Sequence, residues 1–227
     1  MDRARIEAAA RELQVAIWND RALLYPMGAP KPKGMLEPDV AAHVLGYSYE
    51  LAESLGAWGQ GRDRFEIAGM VDRQRKIIGV SLKFPYPTMR FTGAHELGHI
   101  ALNHPGRVMH RDRPVFGLQT RAREQIEQEA DYFAACFLAP AKMVIAEFRA
   151  RFRIGPPLPL TDAVAFNLCG ESGHALMLAG PDSMKFAAAV AGAESFNGLR
   201  FSSLANFFGI SVDAMAIRLR ELRLIED

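Results

Sequence analysis

Residues 95–99 read His-Glu-Leu-Gly-His, the pattern H-E-x-x-H, inside the stretch RFTGAHELGHIALNHPG (residues 90–106). On an α-helix, residues four apart share a face, with Cβ atoms about 6 Å apart. His95 and His99 can therefore direct two imidazoles at one cation, and zinc–nitrogen distances of about 2.0–2.1 Å are reachable from that spacing. Glu96 stands about 100° further round the helix. It is too far round to join the ligand row, yet near enough to touch a water held on the ion. On the other side Leu97, Ile100 and Ala101 form an apolar stripe that can anchor the helix in a core. The competing use of the same residues is a solvated helix whose glutamate makes a salt bridge.

A catalytic zinc takes three protein ligands and leaves a fourth position for water. The following acidic helix contains Glu-Gln-Glu-Ala-Asp, which sets Glu127 and Asp131 four apart on one face. Glu127 can supply the third ligand. Asp131, one turn on, can accept the free ring N–H of His95 or of His99 and so hold that imidazole toward the metal. Glu124 and Glu129 are rivals for the ligand role. Glu129 points about 200° away from Glu127 and has Phe133 four residues later, whereas Glu124 is followed at that spacing by Gln128, a weaker orienter. Ala130 and Ala134 keep the Glu127 face small, so two helices can approach closely there. Phe133 and Phe137 lie round the other side and belong in the core.

These side chains need two helices and something for the helices to rest on. The pattern places the first helix from about Thr88 to Asn103, stopped by Pro105-Gly106. It places the second from about Arg121 to Ala139, stopped by Pro140. Ahead of them, RFEIAGMVD and KIIGVSL, linked by RQR, read as a β-hairpin, and the prolines of KFPYPT end its second strand. Near the N-terminus, Ile6, Ala9, Ala10, Leu13 and Ile17 recur at helical spacing. YPMGAPKPKGMLEP is a loop, and Asp39 can cap a helix running to about Leu55. GAWGQGRDR and GRVMHRDRPVFGLQT read as loops. A further helix runs to about Arg153, and GPPLPLT is the linker that marks a boundary. The expected fold is α+β, mainly helical with a small antiparallel sheet. Residues 1–155 form a core with N-terminal helices, and residues 156–227 a helical C-terminal segment.

RFTGAHELGHIAL followed by EQEADYFAACFLAP resembles the ImmA/IrrE family of zinc metallopeptidases, whose members typically show R-F-T-x-A-H-E-L-G-H and then E-x-E-A-N-x-F-A-A-x-L-L-M-P. The resemblance covers roughly residues 60–145. The ending LANFFGISVDAMAIRLRELRLI is similar to the usual ending of the family. The resemblance implies zinc on His95, His99 and Glu127, Glu96 as catalytic base, and a thermolysin-like, zincin core. Asp131 stands where the family has asparagine, and it is the better acceptor for an imidazole N–H. The family likeness also implies cleavage of a helix-turn-helix repressor. On this reading Glu96 moves a proton from water to the leaving amine, and the substrate lies extended beside KIIGVSL. Tyr132, His104, His110 and His174 are the candidates for stabilising the oxyanion.

The rest of the sequence narrows the alternatives. The chain has 227 residues, 49% of them hydrophobic and 23% charged, with a net charge of +1. Such a balance is ordinary for a soluble globular protein and does not in itself call for nucleic acid. Cys136 and Cys169 are too few for a secreted disulfide framework and read as reduced thiols. MDRARIEAAARELQVAIW is charged throughout and is not a signal peptide. The run Phe186–Ala193 is too short to span a bilayer, so the expected location is the cytoplasm, away from membranes. SSLANFFGISVDAMAIRL has the outline of a helix-turn-helix, with Gly209 at the turn, Ser211 able to cap the next helix and Arg218, Arg220 and Arg223 adding charge. Met215, Ile217 and Leu219 leave it little polar surface for reading bases, which favours an αα-hairpin packed on a core. The second functional reading is a non-proteolytic, metal-binding regulator that acts by contact with a regulator or with DNA.

Overall fold

The computed structural model describes residues 1–58, 65–104, 108–110 and 125–226. The chain divides into two compact units, Met1–Leu138 and Ala139–Asp227. The expected boundary at residues 155/156 lies inside the second of these.

The first unit opens with α1 (Arg3–Asn19), capped by Asp2, whose side chain accepts from the Arg5 amide. Helix α1 buries Ile6, Ala10, Leu13 and Ile17, as its spacing requires. A short α2 (Arg21–Leu24) and a proline-rich loop lead to α3 (Pro38–Val44). The sequence suggested a helix to about Leu55. The helix ends instead at Gly46, which takes φ +76°, while the Tyr47 and Gly46 amides bond back to the Ala42 and His43 carbonyls. This is a Schellman stop, for which glycine carries no Cβ penalty. The chain then enters β1 (Ser48–Ala52).

Two short strands, β2 (Ala57–Trp58) and β3 (Phe65–Glu66), pair antiparallel, and β4 (Gly69–Asp72) and β5 (Ile77–Ser81) form the expected hairpin. Its turn is held by Asp72, whose Oδ1 accepts from the Gln74 and Arg75 amides at 2.9 Å each. Next come α4 (Tyr86–Ala101), β6 (Val108–His110) and α5 (Gln125–Leu138). The main sheet has the order β1-β5-β4-β6. The fold is α+β and mainly helical, but this sheet is mixed: β1 runs parallel to β5 while the other pairs are antiparallel. Within this unit α4 packs on β4 and β5 and also on α5, and α5 packs on α1.

The second unit is built from α6 (Ala141–Phe152), α7 (Asp162–Cys169), α8 (Gly173–Ala179), α9 (Met184–Gly192), the small hairpin β7 (Ser195–Phe196) and β8 (Leu199–Arg200), α10 (Leu204–Phe208) and α11 (Val212–Glu221). Its core includes Phe148, Phe152, Phe186, Phe196, Phe208, Met215 and Leu219. Gly209 turns the chain at φ +62°, and the Ser211 side chain caps α11 at the Ala214 amide. No helix among the described residues is long and apolar enough to cross a membrane. Cys136 is buried and Cys169 partly buried. The expected loop at residues 59–64, the Pro105-Gly106 stop, residues 111–120 of the second loop and the helix start at 121–124 lie outside the described residues.

Candidate metal centre

Helix α4 starts cleanly because Pro85 precedes it and Pro87 sits in its first turn, where no intrahelical N–H is lost. From Thr92 to His99 every residue is buried. The one-sided apolar stripe expected from sequence is therefore only part of the contact, since the helix has the sheet on one side and α5 on another. The approach of α5 is close because Gly98 lacks a side chain. A Cβ there would stand 3.1 Å from both the Cα and the carbonyl oxygen of Ala130. Ala130 and Ala134 are fully buried, as the small face expected of this helix demands.

That approach brings His95 and His99 against Glu127. The two Nε2 atoms are 3.0 Å apart. Glu127 places Oε2 3.3 Å from Nε2 of His95 and Oε1 3.8 Å from Nε2 of His99. Ligands about 2.0–2.1 Å from a tetrahedral ion lie roughly 3.3 Å from one another, so this donor set fits a small divalent cation. Both imidazoles are fully buried while Glu127 is partly open. Two neutral nitrogens and one carboxylate suit zinc chemistry.

The supporting residues divide between the two histidines. Asp131 Oδ1 lies 2.8 Å from Nδ1 of His95, so of the two alternatives left open by spacing it serves His95. Nδ1 of His99 instead meets Nδ1 of His104 at 2.9 Å, and His104 Nε2 lies 3.3 Å from Glu129 Oε2. Glu129 is thus turned to His104 rather than to the ligand cluster. Burial lowers the His104 imidazole below its ordinary range, opposed by the hydrogen bond and charge of Glu129. The Gln125 amide, and after it His104, holds the Glu129 carboxyl below the usual carboxylate range. Glu124 and the side chain of His110 lie outside the described residues. Tyr132 donates its hydroxyl to Glu7 of α1, with Arg3 over its ring, which accounts for it as a packing residue. His174 is an exposed residue of α8 in the second unit.

Glu96 is fully buried and lies against the sheet: a Cβ built on Gly69 of β4 would fall 2.8 Å from Glu96 Oε1 and 2.4 Å from Thr92 Cγ2. A glycine at that strand position makes room for the carboxylate. Tyr49 of β1 is another neighbour that sequence reasoning missed. Its phenol is pushed well above the usual range by burial and by the carboxylates of Asp39, Glu37 and Glu96, so it stays protonated. Arg73, in the β4–β5 turn, donates to the carbonyls of His99 at 2.6 Å and His104 at 3.0 Å. Neither Tyr49 nor Arg73 shows a motif in sequence; both reach the site through long-range packing. The expectation of a substrate beside KIIGVSL needs correction, because β5 is paired on both sides, by β1 and β4.

A comparison with curated proteins returns no match. Residues 51–156 match the family profile Peptidase_M78, the IrrE N-terminal-like domain. Both helices that carry the His95–His99–Glu127 cluster fall inside the matched segment. Residues 51–156 thus belong to the Peptidase_M78 family of IrrE N-terminal-like domains, the ImmA/IrrE peptidases that the sequence motifs resemble.

Proposed function

We propose that the protein is a zinc-dependent endopeptidase in which His95, His99 and Glu127 hold the ion and Glu96 is the general base. The observation that carries this reading is the convergence of the two Nε2 atoms and the Glu127 carboxylate, all within 4.8 Å of one another. A bound zinc ion would supply Lewis-acid polarisation of a water and of the scissile carbonyl. Glu96 accepts the proton of the attacking water and returns it to the leaving amine. Burial of Glu96 keeps bulk water from competing for that proton. Asp131 keeps the His95 proton on Nδ1 and leaves Nε2 as the donor atom.

The substrate is a protein segment bound in extended form. Glu96 lies beside β4, and among the described residues β6 is the outer strand on that side of the sheet. A backbone pairing there would present a peptide bond near the cluster. The similarity to the ImmA/IrrE family supports a helix-turn-helix repressor as that protein and the cytoplasm as the location.

Replacing Glu96 by Gln tests the reading. The variant should retain one ion per chain by elemental analysis and lose cleavage by about 10²–10⁴-fold. It then serves as a trap, and mass spectrometry of what it retains identifies the substrate. Undiminished cleavage by Glu96→Gln would reject the mechanism.

A further inference from the structure

We propose that His104 and Glu129 form a positioning pair for His99, a relay of two side chains that does for this ligand what Asp131 does directly for His95. The inference rests on the reading of His99 as a metal ligand. A neutral imidazole carries one proton. If Nε2 of His99 is the donor atom, that proton is on Nδ1, and its acceptor at 2.9 Å is Nδ1 of His104. His104 must then carry its own proton on Nε2, the atom that faces Glu129 Oε2 at 3.3 Å. One assignment of protons satisfies both contacts, and it directs donation outward from the ligand to a carboxylate.

The local backbone builds this arrangement. Helix α4 ends through Asn103, at φ +54°, with the His104 amide bonded to the His99 carbonyl and the Asn103 amide to that of Ile100, both at 3.0 Å. This is a Schellman motif with asparagine in the left-handed position. It folds residue 104 back along the helix, so that the rings of His99 and His104 meet edge to face with centroids 5.0 Å apart. Arg73 fixes the same two residues by their carbonyls. At the far end, the Gln125 amide donates to Glu129 Oε1 at 2.6 Å and holds that carboxylate in place. His104 is buried, so the pair is not a chance surface contact.

The test compares zinc affinity of the full chain, by competition with a chromophoric chelator, in the native protein, His104→Leu and His104→Asn. It adds long-range nitrogen–proton correlation spectra of the imidazoles in the zinc-loaded native protein. His104→Leu should weaken zinc binding about 10–100-fold, the range found when a partner of a ligating histidine is removed. His104→Asn, whose side-chain oxygen can take the place of Nδ1 as acceptor, should recover most of it. The spectra should show His99 protonated on Nδ1 and His104 on Nε2. Native-like affinity in His104→Leu, or His104 protonated on Nδ1 in the loaded protein, overturns the relay while leaving the zinc reading intact. If the native chain takes up no zinc, both fall. Should His104→Leu fail to fold, Glu129→Ala reads the same relay: zinc affinity must drop, and an unchanged value overturns the proposal.

Discussion

The pair α4–α5 and helix α11 both bury charged or polar side chains, but to opposite ends. In the second unit Arg218 of α11 is buried, and its guanidinium is used up locally: Nε donates to the Ala139 carbonyl at 3.2 Å and Nη1 to Glu221 at 3.1 Å. Arg220 likewise donates to the Asp182 carbonyl. Each of these guanidinium groups meets its partners nearby, and Met215, Ala216 and Leu219 are buried beside them. Between α4 and α5 the polar atoms turn toward one point, with three potential donors facing each other and their partners ranged outside. A buried polar group is costly unless paired. Convergence of three donors on one point, with their supports outside, is therefore what separates this helix pair from α11.

Three substitutions would sharpen or break this contrast. Glu127→Ala removes one of the converging groups, and zinc uptake measured by elemental analysis should be abolished; stoichiometric uptake would show that the cluster is not a cage. Gly69→Ala should leave uptake at one ion per chain but lower turnover by about 100-fold, because the new methyl displaces Glu96 or Thr92 and misplacement of about 1 Å has that scale. Unchanged turnover would separate Glu96 from the chemistry. Leu219→Ala should cost about 2–5 kcal/mol of stability in denaturant unfolding, as for other buried leucines, and change neither zinc uptake nor cleavage at 25 °C. An accompanying loss of zinc would show that α11 matters to the centre.

The residues of the centre were legible in sequence to the extent that they depend on helical period alone. His95 and His99, and Glu127 with Asp131, are each one turn apart, and that spacing survives whatever packs around the helix. The small face at Ala130 and Ala134 was legible for the same reason. Its counterpart Gly98 was not, because a glycine within H-E-x-x-H looks like a filler until a second helix lies on it. His104 stood in sequence only as one of several oxyanion candidates. Its contact with His99 depends on Asn103 adopting a left-handed conformation, which asparagine tolerates but does not announce. Strand β1 was read as helix because local preference favoured it. Gly46 was the available stop signal, and the parallel pairing with β5 that decides the matter joins residues far apart in the chain.

The grip of Arg73 on the end of α4 has a mechanical consequence. One guanidinium fastens a turn between two strands to the His99 carbonyl, in the last turn of the helix that bears both imidazoles, and to the His104 carbonyl just past its end. A displacement of that turn would therefore meet the backbone of His99 through a single planar group. Helix end and strand turn are clamped by one residue.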